Sequence, residues 1–113
     1  EGDTLAVTLE WQAVRNGAAP LTVFVHLYRE DGSLAAQHDG PPAGGFVPPN
    51  AWHAGDIITD THRLVLDPDT AAENCTLVTG IYDPQTGIRL NAVSDAGETI
   101  ANNAAVLLTG PLP

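Results

Sequence analysis

The run LTVFVHLYR at residues 21–29 decides how this chain folds. Val23, Val25 and Leu27 alternate with Phe24, His26 and Tyr28, the period of two that marks a β-strand with two different faces. At about 3.3 Å per residue the strand would span roughly 26–30 Å, enough to cross a small sandwich, and it is predicted to be central. Its aliphatic face suits a core. The face with two rings and an imidazole is not explained by folding alone.

The neighbouring stretches follow the same pattern. Glu30-Asp31-Gly32-Ser33 is a turn, and the short strand at 34–38 completes a hairpin with 21–29. Upstream, TLAVTLEWQ at 4–12 puts Leu5, Val7, Leu9 and Trp11 on one face, with Trp11 the heaviest core contributor. Downstream, IITDTHRLVL at 57–66 gives Asp60 and His62 the same parity as Ile58, Leu64 and Leu66, so the apolar face carries a polar interruption. Asp60 is expected to accept hydrogen bonds there, because a buried carboxylate without partners costs several kcal/mol. In CTLVTGIY at 75–82, the inward set is Cys75, Leu77, Thr79 and Ile81, and Gly80 predicts a bulge or a close backbone approach. A turn at 83–87, a short strand at 88–93, a turn around 95–97 and a last strand at 104–109 complete the chain. No helical periodicity of useful length occurs. About seven short strands imply an all-β, immunoglobulin-like or fibronectin-III-like antiparallel β-sandwich.

Residues 39–54, DGPPAGGFVPPNAWHA, hold four prolines and three glycines and belong to neither strand nor helix. A loop this long needs its own side chains to pin it, and Phe46, Val47 and Trp52 are available. It either covers the outer face of the central sheet or presents Trp52 or Phe46 to a ligand. Covering is the favoured reading.

Composition limits the partners. A length of 113 residues allows one domain over 1–113, and 43% apolar residues are ordinary for a globular chain. Fourteen acidic residues against four arginines and no lysine give a formal charge of −10, and the arginines are scattered. Such a surface repels phosphate, so nucleic acid is not expected as a partner. Cys75 stands alone, so no intrachain disulfide forms, and in a strand pattern it reads as a small buried hydrophobe. Asn74-Cys75-Thr76 matches the N-glycosylation tripeptide. No signal-peptide pattern and no apolar run near the ~20 residues of a membrane helix is present, so this segment is not expected to insert into a membrane. The opening Glu1-Gly2-Asp3, directly before a strand, reads as the start of an excised piece of something longer.

Taken together, GDTLAVTLEWQA (2–13), LTVFVHLYREDG (21–32), AAQHDGPP (35–42), AWHAGDIITD (51–60) and GIYDPQTGIRL (80–90) resemble a module of bacterial membrane proteins. The chain is similar to the immunoglobulin-like β-sandwich appended to multi-spanning, glycosyltransferase-like proteins of filamentous green bacteria and their relatives. The resemblance covers nearly the whole chain and keeps the order of the motifs. It implies a non-catalytic module outside the membrane, at the cell surface, tethered through a parent membrane protein. The family's pattern has an aromatic where this chain has Cys75 and His62, and Val at Thr79. Its members also carry a strand upstream of the Gly-Asp-Thr motif, which this sequence lacks, so one sheet edge is expected to be open.

Few constellations suggest chemistry. Ser33 and Ser94 sit in turns without a nucleophile elbow. His26, His38, His53 and His62 with Asp39 invite a metal reading, but no HxH or HExxH spacing supports it, and His26 and His38 are placed on a common hairpin face. Asp56/Asp60 and Asp67/Asp69 lack the calcium-loop order and read as turn or capping residues. No enzyme activity, metal or other cofactor is expected. The most function-like surface is the outer sheet face, where Phe24, His26 and Tyr28 would lie beside Val78 and Tyr82. With Phe46 and Trp52 these are the candidate ligand-binding residues: Phe24, His26, Tyr28, Phe46, Trp52 and Tyr82. The expected function is a non-catalytic accessory binding or spacer module. The alternatives are a carbohydrate-binding module using exposed aromatics and a self-assembling module pairing through an open edge. The partners implied are a glycan, another protein module or a second copy.

Overall fold

The computed structural model describes residues 4–14, 16–17, 20–45, 51–67 and 74–110. Within them six strands form: β1 (Thr4–Gln12), β2 (Thr22–Tyr28), β3 (Leu34–Gly40), β4 (Ile57–Val65), β5 (Cys75–Tyr82) and β6 (Ala105–Gly110). All pairings are antiparallel. β1 pairs with β4 in one sheet, and the other runs β3-β2-β5-β6, so the stretch at 21–29 is central as expected. The sheets pack face to face as an all-β sandwich. Its strands number six rather than seven.

The missing strand is the one expected at 88–93. After the turn closed by Gly87 N–H to Asp83 O (2.7 Å), the chain makes only isolated bridges, Tyr82 with Arg89 and Val93 with Thr99. From there Arg89 sets its guanidinium over Phe24 on the outer face of the larger sheet. Leu90 N–H donates to Ile81 O at 2.8 Å and Ala92 N–H to Asn103 Oδ1 at 3.0 Å, while β6 takes the edge position beside β5.

The core lies between the sheets. Val23, Val25 and Leu27 of β2 are fully buried against Val7 and Leu64 of the opposite sheet, with Cys75 and Leu77 alongside. Each such side chain contributes about 1.5–3 kcal/mol before conformational entropy is set against it. Phe24 is also fully buried, so β2 is covered on both faces over its middle. A second cluster joins Trp52 to Ala13 and Ile58, with Trp11 and Ala43 packed against it. The described residues of the Pro-rich stretch therefore close one end of the β1–β4 layer, and the segment after Gly87 covers Phe24. Among the described residues that segment stands over Phe24, and of the Pro-rich stretch Asp39 reaches the aromatic face, at His26 and Tyr82. Phe46, Val47 and Asp69 lie outside the described residues. Among the described residues no helix is long and apolar enough to cross a membrane.

Candidate functional site

The outer face of the larger sheet is assembled from β2 and β5. Register sets Phe24 opposite Gly80, His26 opposite Val78 and Tyr28 opposite Thr76. Gly80 is there because of Phe24: a Cβ at position 80 would stand 2.4 Å from Phe24 Cζ and 2.8 Å from Asn103 O. The close approach anticipated from the sequence is that of a ring lying over a bare backbone. Thr79 Oγ1–H donates to Phe24 O at 2.8 Å from the inner side. The Arg89 guanidinium sits 4.2 Å above the Phe24 ring centroid and donates through one terminal nitrogen to Asn102 O at 2.9 Å. Asn102 and Asn103 hold left-handed backbone (φ 58° and 52°), which asparagine tolerates.

Beside Phe24 runs a polar row. His26 Nε2 lies 3.2 Å from Asp39 Oδ1, His26 Nδ1 lies 3.3 Å from the Tyr28 hydroxyl, and the Tyr82 hydroxyl donates to Asp39 Oδ2 at 3.0 Å. Burial first, then the hydrogen bond to Asp39 and its negative charge, push the Tyr82 phenol pKa above its usual value. A phenol with a higher pKa folded than unfolded adds stability that is complete below the unfolded value and is lost as pH rises through the folded one. Tyr82→Phe is therefore expected to flatten the stability–pH curve above about pH 10, measured by urea denaturation at stepped alkaline pH. An unchanged alkaline slope would assign that loss to another group.

Where the cover of Phe24 ends, the face opens into a groove of about 740 Å³. Its floor is Tyr28, Val78 and Val106. One wall is the turn with Glu30, and the other is Arg89 with Asn102. Arg29 also reaches it, held by the Ser33 hydroxyl at 3.2 Å and Leu34 O at 3.0 Å. The neighbouring turn is closed by Asp31, which accepts from Ser33 N–H (2.9 Å) and Ser33 Oγ–H (2.7 Å). Those bonds, with Arg29 nearby, lower the Asp31 pKa.

A second polar centre lies on the inner side. Asp60 and His62, each 1% exposed, interrupt the core as their parity predicted. Asp60 Oδ2 accepts from Trp11 Nε1–H at 3.0 Å and from His62 Nε2–H at 2.7 Å, and Asp60 Oδ1 accepts from Ala43 N–H at 2.9 Å. His62 Nδ1 meets His38 Nδ1 at 2.7 Å, joining β4 to β3 across the sandwich. His38 was expected on the hairpin face of His26. A bulge at Ala35, opposite Leu27 and Tyr28, shifts the register by one residue, so His38 pairs with Val25 on the inner side of the sheet edge, where it stays exposed, while Asp39 pairs with Phe24 and faces outward.

The structure thus brings Phe24, His26, Tyr28 and Tyr82 together on one face and leaves Trp52 apart, buried at the end of the other layer. Among the described candidates only Tyr28 lines the groove; Phe24 presents no surface. Arg89 and Asn102 were not singled out from the sequence. The turn at 83–87, which reverses the chain onto the sheet face, was the available signal. Asp56, read as a turn residue, accepts from His53 N–H at 2.8 Å. Among the described residues, no group of three or more His, Cys, Asp and Glu side chains is arranged to hold a metal ion. Fold and surface together define a β-sandwich with an open groove on the outer face of its larger sheet. Compared with protein-family models, with curated proteins and with solved structures, the chain finds no match.

Proposed function

We propose that this chain is a non-catalytic accessory module that holds a ligand in the groove on its outer sheet face. Following the resemblance, it serves a membrane-associated, glycosyltransferase-like protein from outside the membrane. The observation that carries the binding reading is the groove itself. Its volume, about 740 Å³, lies within the usual range for small-ligand sites, and it is built on a strand buried on both faces. The half-buried Tyr28 offers a ring, Val78 and Val106 offer apolar floor, and Glu30, Arg89 and Asn102 offer charges and polar groups at the rim. That combination suits a sugar, whose ring has apolar faces and a hydroxylated edge.

Heteronuclear NMR titration with small methyl glycosides tests this. Amides of residues 28–32, 76–78 and 100–106 are expected to shift, and Tyr28→Ala is expected to weaken binding about tenfold or more through lost contact area. Unmoved groove amides throughout the panel would remove the reading.

A second reading rests on a separate observation. β1 and β4 form a layer of only two strands, and among the described residues neither outer edge is paired. Ile57 and Val65 stand 60% and 69% exposed on β4. Strand pairing between copies through this layer would complete the edge. A mass that stays monomeric by light scattering across a wide concentration range would dispose of it.

A further inference from the structure

The chain carries fourteen acidic residues and four arginines, so an arginine here has many potential carboxylate partners. Arg29 has Asp67 at 3.9 Å. Arg89 has no carboxylate partner among the described residues. Its guanidinium is nevertheless fixed. The Phe24 ring lies beneath it at 4.2 Å, Phe24 is fully buried, and Asn102 O holds one terminal nitrogen at 2.9 Å. Among the described residues the remaining N–H donors of Arg89 have no acceptor, and Arg89 forms part of the groove wall. A planar fork held in place beside a groove matches a carboxylate in shape, and its ordering entropy is already spent. Across the groove, Glu30 offers an acceptor for hydroxyls, and Tyr28, Val78 and Val106 offer an apolar floor of ring size. The net charge of −10 opposes a densely anionic polymer, which limits the ligand to an isolated negative group.

Building on the sugar-binding reading above, we propose that the groove binds a sugar unit bearing one carboxylate, a hexuronic acid residue. Its carboxylate lies on Arg89 and its ring on the floor of Tyr28, Val78 and Val106.

The experiment is an NMR titration of the folded chain with methyl glucuronide and methyl galacturonide. Their neutral counterparts, methyl glucoside and methyl galactoside, are the comparison, and a capped aspartyl dipeptide serves as a carboxylate without a sugar. One uronide is expected to bind about tenfold or more tightly than its neutral counterpart, as charge-assisted hydrogen bonds allow. Arg89→Gln should bring that uronide down to the neutral level, and Arg89→Lys should retain part of the preference. Arg63→Gln, on the exposed face of β4, should retain all of it. Dispersed spectra for both Arg89 variants establish that each is folded; Arg89→Lys carries the test if Arg89→Gln is not. Neutral glycosides that shift the groove amides as strongly as the uronides would overturn the carboxylate assignment and leave the sugar site standing. No shift with any glycoside would overturn both, and tighter binding of the dipeptide would overturn the sugar in favour of an acidic peptide.

Discussion

Asp60→Ala is expected to lower the unfolding free energy by about 3–5 kcal/mol, a large part of what a domain of this size has. The carboxylate is 1% exposed and accepts from three donors on three different pieces of chain: Trp11 on β1, His62 on β4 and Ala43 in the turn Pro42–Gly45. Removing it leaves the buried His62 N–H and the Ala43 N–H without acceptors, each worth about 1–3 kcal/mol, and opens a small void. Trp11 is only half-buried and finds water more easily, so the three losses do not simply add. Asp60→Asn keeps one acceptor oxygen and turns the other into a donor facing donors, so an intermediate loss is expected. Urea denaturation followed by tryptophan fluorescence measures both, since Trp11 reports directly on the site. An Asp60→Ala midpoint equal to that of the wild type would mean that packing alone holds this end of the sandwich.

The second large effect is at Gly80. An alanine there places its methyl 2.4 Å from Phe24 Cζ and 2.8 Å from Asn103 O. Phe24 has no free side to move toward: Arg89 lies above the ring, and Thr79 holds the Phe24 carbonyl from the inner face. The clash must be relieved by lifting the segment around Asn103, at a cost of about 3 kcal/mol. Part of the loss belongs to the ring and part to Asn103 O. Phe24→Leu shortens the side chain, so the double variant Gly80→Ala with Phe24→Leu is expected to be clearly more stable than the sum of the single losses predicts. Strict additivity would show that the cost at Gly80 comes from Asn103 O or from the backbone and not from Phe24. Because Asn102 and Arg89 belong to the same cover, Gly80→Ala should also disturb the groove, visible as shifts at residues 100–106 in the spectrum.

Much of this molecule was legible in local pattern. The alternation in TLAVTLEWQ, LTVFVHLYR and CTLVTGIY placed the inward residues correctly, and Asp60 and His62 announced their buried positions by sharing parity with Ile58 and Leu64. What was not legible depends on contacts between segments distant in sequence. Residues 88–93 have the apolar content of a strand, yet among them only Arg89 bridges β5, at its end (Tyr82), because β6 takes the rest of that edge. Trp52 of the Pro-rich stretch was one of the side chains expected over the aromatic face, yet it finds Ala13 and Ile58 instead. The groove arises from that exchange of roles, since the segment after Gly87 covers Phe24 and leaves the floor beside Tyr28 open.

The sequence by itself determined the two faces of 21–29, the central place of that strand and the polar interruption in the core, because a period of two is a property of the backbone alone. Tertiary structure decided which side of the hairpin His38 and Asp39 occupy. A single bulged residue, Ala35 opposite Leu27/Tyr28, inverts the parity of everything beyond it on β3. His38 is thereby turned to His62 and Asp39 to Tyr82 and His26. Side-chain alternation cannot report such a slip, because either register leaves a regular alternating pattern; packing against the second sheet selects between them.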